Sequence, residues 1–212
     1  MYLNKRNTIE IKKKLLSSKY KYISFDIFDT LIIRKVKNPR DVFSYMESNL
    51  SLNNIYIKNF YIKRVLAEKI SYRFFRHPNI FQIYRFLWCT KEQKKRLIDL
   101  EIKTEKILTK ANPLLFDLYD FCLKNRKQII ITSDMYIPKH IMDDILHSAG
   151  YFDYKRLYIS CDVKKSKNNG DIFPYILNDL KISKDELIHL GDNKKSDIDN
   201  ANGIDTIYIE RR

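Results

Sequence analysis

The sequence predicts an α/β protein: a parallel sheet with helices on both faces and a block of helices inserted after the first strand. Two observations carry this. Short runs rich in β-branched and aromatic residues alternate with segments of helical spacing at the start and throughout the second half of the chain, and strands alternating with helices build parallel sheets through right-handed crossovers. Residues 35–110 show no such run and read as successive helices with charged faces. The expected organisation is a core from residues 1–34 and 111–212, with residues 35–110 as a helical cap.

Each element follows in order. Residues 8–19 set Ile9, Ile11, Leu15 and Leu16 among lysines, as an amphipathic helix requires. Residues 21–28 (KYISFDIF) form the first strand. Helical spacing covers 40–50, 57–75, 80–88 and 91–110, punctuated by Asn38-Pro39 and His77-Pro78. Asn112-Pro113 closes that block, and Pro113 suits the first turn of a helix running to Lys124. A strand at 128–132 precedes a helix at 138–148 that Gly150 stops. A strand at 157–160 and a helix at 171–180 come next. Ser183 and Glu186 have capping-box spacing, ahead of a strand at 187–191. A short helix at 196–201 and a strand at 205–209 complete the pattern.

Composition narrows the function classes. A hydrophobic fraction of 44% over 212 residues supports a buried core and excludes a disordered chain. The net charge is +14, concentrated between Lys35 and Lys110, where 17 Lys/Arg stand against seven Asp/Glu. Such a surface attracts anions: phosphorylated metabolites or an anionic membrane surface. A solvated basic face accounts for the charge without nucleic acid, which is not an expected partner. Cys89, Cys122 and Cys161 have neither CxxC nor zinc-site spacing, and they read as reduced thiols of a cytoplasmic protein. No apolar run reaches membrane-spanning length, and the basic start MYLNKRNTIEIKKKLL lacks a signal-peptide core.

Ligands of parallel sheets bind beyond the carboxyl ends of the strands. Four polar motifs fall there: FDIFDTL (25–31), ITSDMY (131–136), SKNNGDIF (166–173) and LGDNKKSD (190–197). Asp26, at a strand end, can serve as a carboxylate nucleophile. A lysine from the third motif can hold that carboxylate ionised and offset transition-state charge. Asp192 and Asp197 offer the hard oxygen ligands that Mg²⁺ requires. The four histidines have no metal-site spacing, and His189 is expected to be packed and hydrogen-bonded in its strand.

These motifs resemble the four motifs of the haloacid dehalogenase (HAD) superfamily, over residues 22–209. The resemblance implies a HAD-like Rossmannoid fold and places Asp26 as nucleophile, with Thr30 and Leu31 completing DxDx[TV]L. The second Asp of that pattern, the general acid–base, falls where this chain has Phe28; Asp29 comes one residue later and its side chain points elsewhere. The resemblance implies Ser133 as the hydroxyl that binds the phosphoryl group, with Thr132 as the alternative. It selects Lys167 from the cluster Lys164, Lys165 and Lys167, because KxxGxxF then matches the third motif. It implies Mg²⁺ held by Asp26, the backbone carbonyl of Phe28, Asp192 and Asp197. FDIFDTL followed by Arg34, together with SDMY, resembles a HAD branch associated with glycosyltransferases of surface-polysaccharide synthesis.

The expected function is a Mg²⁺-dependent, phosphatase-like hydrolase of a small phosphorylated metabolite, such as a sugar phosphate or glycan precursor. Arg34, Asp29, Thr30 and Asp134 are the expected substrate-side residues. Two alternatives follow from Phe28. One is dehalogenase-like attack of Asp26 on carbon, and the other is a domain that binds a phosphorylated ligand or a glycosyltransferase partner with little turnover.

Overall fold

A computed structural model of the chain describes residues 5–210. Helix α1 (Lys5–Leu15) leads into strand β1 (Tyr22–Phe25), then β2 (Ile32–Arg34). Helices α2 (Asp41–Asn49), α3 (Phe60–Phe74), α4 (Ile80–Arg85) and α5 (Lys91–Leu108) follow, and β3 (Thr109–Ala111) returns the chain. The remainder alternates: α6 (Pro113–Lys124), β4 (Gln128–Ser133), α7 (Lys139–Ser148), β5 (Arg156–Ile159), the single turn α8 (Ser160–Val163), α9 (Ile172–Leu180), β6 (Leu187–Gly191), a π-helical turn (Lys194–Asp199) and β7 (Asp205–Tyr208).

The main sheet is parallel, with order β5-β4-β1-β6-β7. Central β1 is therefore the topological switch point: β4 and β5 lie to one side, β6 and β7 to the other. A ligand crevice opens at such a point. Strand alternation divides the side chains. Ile23, Phe25, Ile129, Ile131, Ile188 and Leu190 belong to one apolar cluster, which also takes in α1, α6 and α7. Tyr22, Ile130 and Leu187 belong to a second, built with α9. Ser24, Thr132 and His189 share the periodicity of this second face.

Helices α2 to α5 enclose their own apolar cluster, centred on Val42, Phe43, Met46, Phe60, Ile80, Ile83 and Leu97. Two helix starts are fixed by sequence: Asn79 with Gln82, and Thr90 with Gln93, form reciprocal capping boxes. The entry and exit of this helical segment are joined by a feature absent from the sequence expectation. Strands β2 and β3 pair antiparallel, Ile33 opposite Lys110, so helix α5 ends at Leu108 rather than Lys110. Thr109 is extended, as suits a β-branched residue. Asn112 fastens the exit to the first motif: its backbone N–H donates to the Leu31 carbonyl at 2.8 Å and its side chain to that of Thr30 at 3.0 Å.

Candidate active site

The first motif builds a tight loop. Asp26 continues the ladder with its N–H on the Leu190 carbonyl at 2.9 Å. Its carboxylate thereby sits at the mouth between β1 and β6. The chain then folds back, Ile32 N–H donating to the Ile27 carbonyl at 2.9 Å and Asp29 N–H to the Ile32 carbonyl at 2.8 Å. Asp29 takes φ 59°, a left-handed conformation that Asp tolerates better than most residues.

Three other segments meet Asp26. Ser133 ends β4, buried at 3% exposure. Asp192 follows β6, and Asp197 lies on the π-helical turn whose start Asn193 caps by accepting from the N–H groups of Lys195 and Ser196. Oxygens of Asp26, Asp192 and Asp197 lie within 4.8 Å of one another, all three residues buried. Gly191 makes this proximity possible, because a Cβ there would stand 2.4 Å from the Asp197 carboxyl carbon.

Lys167 reaches in from the loop before α9. Its ammonium contacts the Asp26 carboxylate and lies 2.6 Å from Asp197 Oδ1. The loop is held from several sides. Asp134 accepts the N–H groups of Lys167 at 2.8 Å and Asn168 at 2.9 Å. Asp171 accepts that of Ser166 at 2.7 Å, and the Asn200 side chain donates to the Asn168 carbonyl at 2.7 Å.

Charge follows the geometry. Burial pushes the Asp26 carboxyl up to about 8; Lys167 pulls it back, and Asp197 and Asp192 add to the rise. Burial opposes the charge of Lys167, but Asp26 and Asp197 outweigh it and hold the ammonium above its ordinary range. Asp197 sits below the carboxylate range: burial opposes its charge, and Lys167 and the His189 hydrogen bond prevail. Three buried aspartates thus converge within reach of one ion, and a divalent cation would favour their ionised forms. All donors are hard oxygens, so the residues present fit Mg²⁺.

A polar chain lies behind Asp197. His189 Nε2 is 3.3 Å from Asp197 Oδ1, His189 Nδ1 is 2.8 Å from Ser24 Oγ, and Ser24 Oγ is 3.1 Å from Thr132 Oγ1. Asp197 accepts, so Nε2 carries the proton, Nδ1 accepts from Ser24, and Ser24 accepts from Thr132. Thr132 is thereby turned away from the crevice, which leaves Ser133 as the second-motif hydroxyl on it. Sequence reasoning assigned Ser24 no part in the site. Its signal is a polar residue on the same face of each of three strands, and register brings two of them together, Ser24 beside His189.

A cavity of about 360 Å³ opens over these groups, lined at its base by Asp26, Ser133, Lys167, Asp192 and Asp197 and above by Arg40, Phe43, Glu68 and Tyr72 of α2, α3 and the turn before them. One expected substrate residue, Thr30, stands away from the cavity. Thr30 is fully buried and reaches Asp192 Oδ1 at 3.5 Å; the backward fold of the loop turns it beneath the carboxylates. Arg34 does line the cavity, but its guanidinium pairs with Glu105, Nε to Oε2 at 3.2 Å and Nη2 to Oε1 at 3.3 Å. It also lies 3.7 Å over the Phe28 ring. A Phe28–Arg34–Glu105 stack thus stands where the superfamily pattern would carry its second Asp. Asp29 and Asp134 line the cavity, although Asp134 also clamps the Lys167 loop.

No protein-family model and no curated protein sequence matches the chain. Solved structures do. A 2-haloacid dehalogenase from Pseudomonas syringae pv. Tomato DC3000 superposes with TM-score 0.62 at 16% identity, covering 89% of this chain and 86% of that one. A HAD phosphatase from Thermococcus onnurineus gives 0.61 at 19% identity, covering 91% and 87%. The chain has the haloacid dehalogenase-like fold. The HAD-type protein YfnB from Bacillus subtilis, bound to magnesium, gives 0.57 at 17% identity, covering 89% and 88%. Within this fold the parallel sheet and the helical segment after β1 take the places the sequence predicts. Among the described residues no helix is long and apolar enough to cross a membrane.

Proposed function

We propose that the chain is a HAD-type hydrolase, phosphatase-like and Mg²⁺-dependent, acting on a small phosphorylated metabolite such as a sugar phosphate or glycan precursor. The observation that carries this reading is the buried contact of Lys167 with Asp26 and Asp197 beside Asp192, at the base of a cavity. An Asp26 oxygen bonds to phosphorus as the bond to the leaving oxygen breaks. Water then attacks the phosphorus of the aspartyl-phosphate, releasing phosphate and freeing Asp26. Lys167 favours the ionised form of Asp26 against its burial and offsets charge on the phosphoryl oxygens, to which Ser133 donates. With Phe28 in place of the second Asp, the leaving oxygen takes its proton from water.

Asp26, Asp192 and the Phe28 carbonyl would hold Mg²⁺. Asp197 would join them directly or through water; its oxygens also serve Lys167, His189 and the Asn193 N–H. Bound there, the cation neutralises charge between nucleophile and phosphate. The basic helical segment closes over an anionic substrate and excludes water. Phe28 favours a second reading, attack of Asp26 on carbon with loss of halide, which needs no protonated leaving group.

The test is phosphate release from a panel of sugar phosphates and an aryl phosphate, with Mg²⁺ and with EDTA, in wild type and Asp26→Asn. Release that requires Mg²⁺ and vanishes in the variant is expected. Halide release from 2-haloacids in EDTA, without phosphate release, would replace the first reading by the second.

A further inference from the structure

Helix α3 is apolar on two sides. Its inward side buries Phe60, Ala67 and Ser71 together with Arg64. On its outer side Ile62, Leu66, Ile70 and Phe74 follow at four-residue intervals, which aligns them along one stripe. Ile62, Leu66 and Phe74 are 63%, 53% and 68% exposed. The stripe continues past the helix end: the Phe74 ring stacks on Phe86 at 5.2 Å, and Trp88, two residues on, is 93% exposed. Large apolar side chains gathered on one exposed face mark an interaction surface.

The exposed charges of α3 have one sign. Lys63, Lys69 and Arg73 are exposed on α3. The one acidic residue of the helix, Glu68, is turned to Arg64 at 2.9 Å. We propose that this face docks on an anionic lipid bilayer, with Leu66, Phe74 and Trp88 entering the headgroup boundary and Lys63, Lys69 and Arg73 meeting lipid phosphates. A basic helix with an aromatic and aliphatic stripe is the composition of interfacial helices, and indole rings favour the water–lipid boundary. A second copy on the same stripe would set these cations against their own counterparts. The inference stands apart from the catalytic reading, because none of these side chains lines the cavity.

Trp88 is the one tryptophan of the chain, so its fluorescence reports on this face alone. Titration with phosphatidylcholine vesicles carrying phosphatidylglycerol is expected to shift its emission to the blue and to sediment the protein. Pure phosphatidylcholine vesicles are expected to bind at least about tenfold more weakly. Leu66→Ser/Phe74→Ser is expected to cut partitioning about tenfold or more, with an unchanged circular dichroism spectrum. Phe152→Ser, at an aromatic 50% exposed on the loop before β5, is expected to bind as wild type. Absence of both shift and sedimentation overturns the proposal, as does an equal loss in Phe152→Ser. Dimerisation without vesicles that Leu66→Ser abolishes also overturns it and gives the stripe to a second copy.

Discussion

The Lys167 ammonium lies 2.6 Å from Asp197, with both side chains almost completely buried. The same ammonium contacts Asp26, so one cation orders two carboxylates that would otherwise repel across the site. Lys167→Met removes the ammonium that Asp26 and Asp197 share. Turnover is expected to fall about 10²–10³-fold. The melting temperature is expected to drop, and to rise on Mg²⁺ addition by more than in wild type, because the ion then offsets charge that the ammonium offset before. Turnover within tenfold of wild type would remove Lys167 from the proposed chemistry.

The helical segment carries a second buried ionic group. Arg64, fully buried, donates to both oxygens of Glu101 at 2.8 Å and to Glu68 at 2.9 Å. The Tyr84 hydroxyl donates to Glu101 at 2.6 Å. Arg64→Met strands the buried Glu101 charge and is expected to cost about 3–5 kcal/mol in chemical denaturation. Arg64→Met/Glu101→Gln removes the charge while keeping an acceptor for Tyr84, and is expected to be more stable than Arg64→Met alone. A double variant no better than the single one would show that volume rather than charge dominates there.

Three of the residues at the base of the cavity, Asp26, Asp192 and Asp197, are legible in the sequence because each lies at or beyond a strand end in a short polar motif, whereas Lys167 stands out from Lys164 and Lys165 only through the resemblance of KxxGxxF to the third motif. The burial of Thr30 and the tie of Arg34 to Glu105 were not legible, since they depend on a backward fold and on pairing of β2 with β3. Two three-residue strands some 75 residues apart leave too little periodicity to detect. The Thr132–Ser24–His189 chain depends on register across three strands. A period of two tells which face each residue takes, but not which residues stand side by side.

His189 gives the site a pH limit. Burial lowers its pKa, and the Lys167 charge acts in the same direction against the opposing Asp197 bond and Asp134 charge; the Phe173 ring covers it at 5.0 Å. The folded-state pKa is therefore below the ordinary 6.5. Above pH 6.5 neither state protonates this ring and its contribution to stability is complete. As pH falls below 6.5 the unfolded chain gains a proton that the folded protein refuses, and stability is lost progressively down to the folded pKa. Between pH 8 and about 5 the raised Asp26 carboxyl also titrates in the folded protein, in wild type and variant alike, so the imidazole is read from the difference: the wild-type melting temperature is expected to fall relative to that of His189→Gln. Equal falls would show that His189 titrates alike in both states.

In the proposed reaction, Phe28 leaves the departing oxygen without a positioned acid. With Arg34 stacked on its ring and tied to Glu105, no carboxylic acid stands at the second position of the first motif. Transfer from phosphate esters without a positioned acid depends on how well the leaving oxygen holds negative charge. Across a series of aryl phosphates, kcat/KM is therefore expected to fall steeply as the leaving-group pKa rises. Phe28→Asp places a carboxyl at the position the superfamily pattern uses for protonation. It is expected to flatten that dependence by raising rates on poor leaving groups more than on good ones, although it also removes the ring beneath Arg34. A flat dependence in wild type would mean that another group already donates the proton. Glu105 is then the next residue to replace, because it lines the same cavity and burial pushes its carboxyl up against the opposing Arg34 charge.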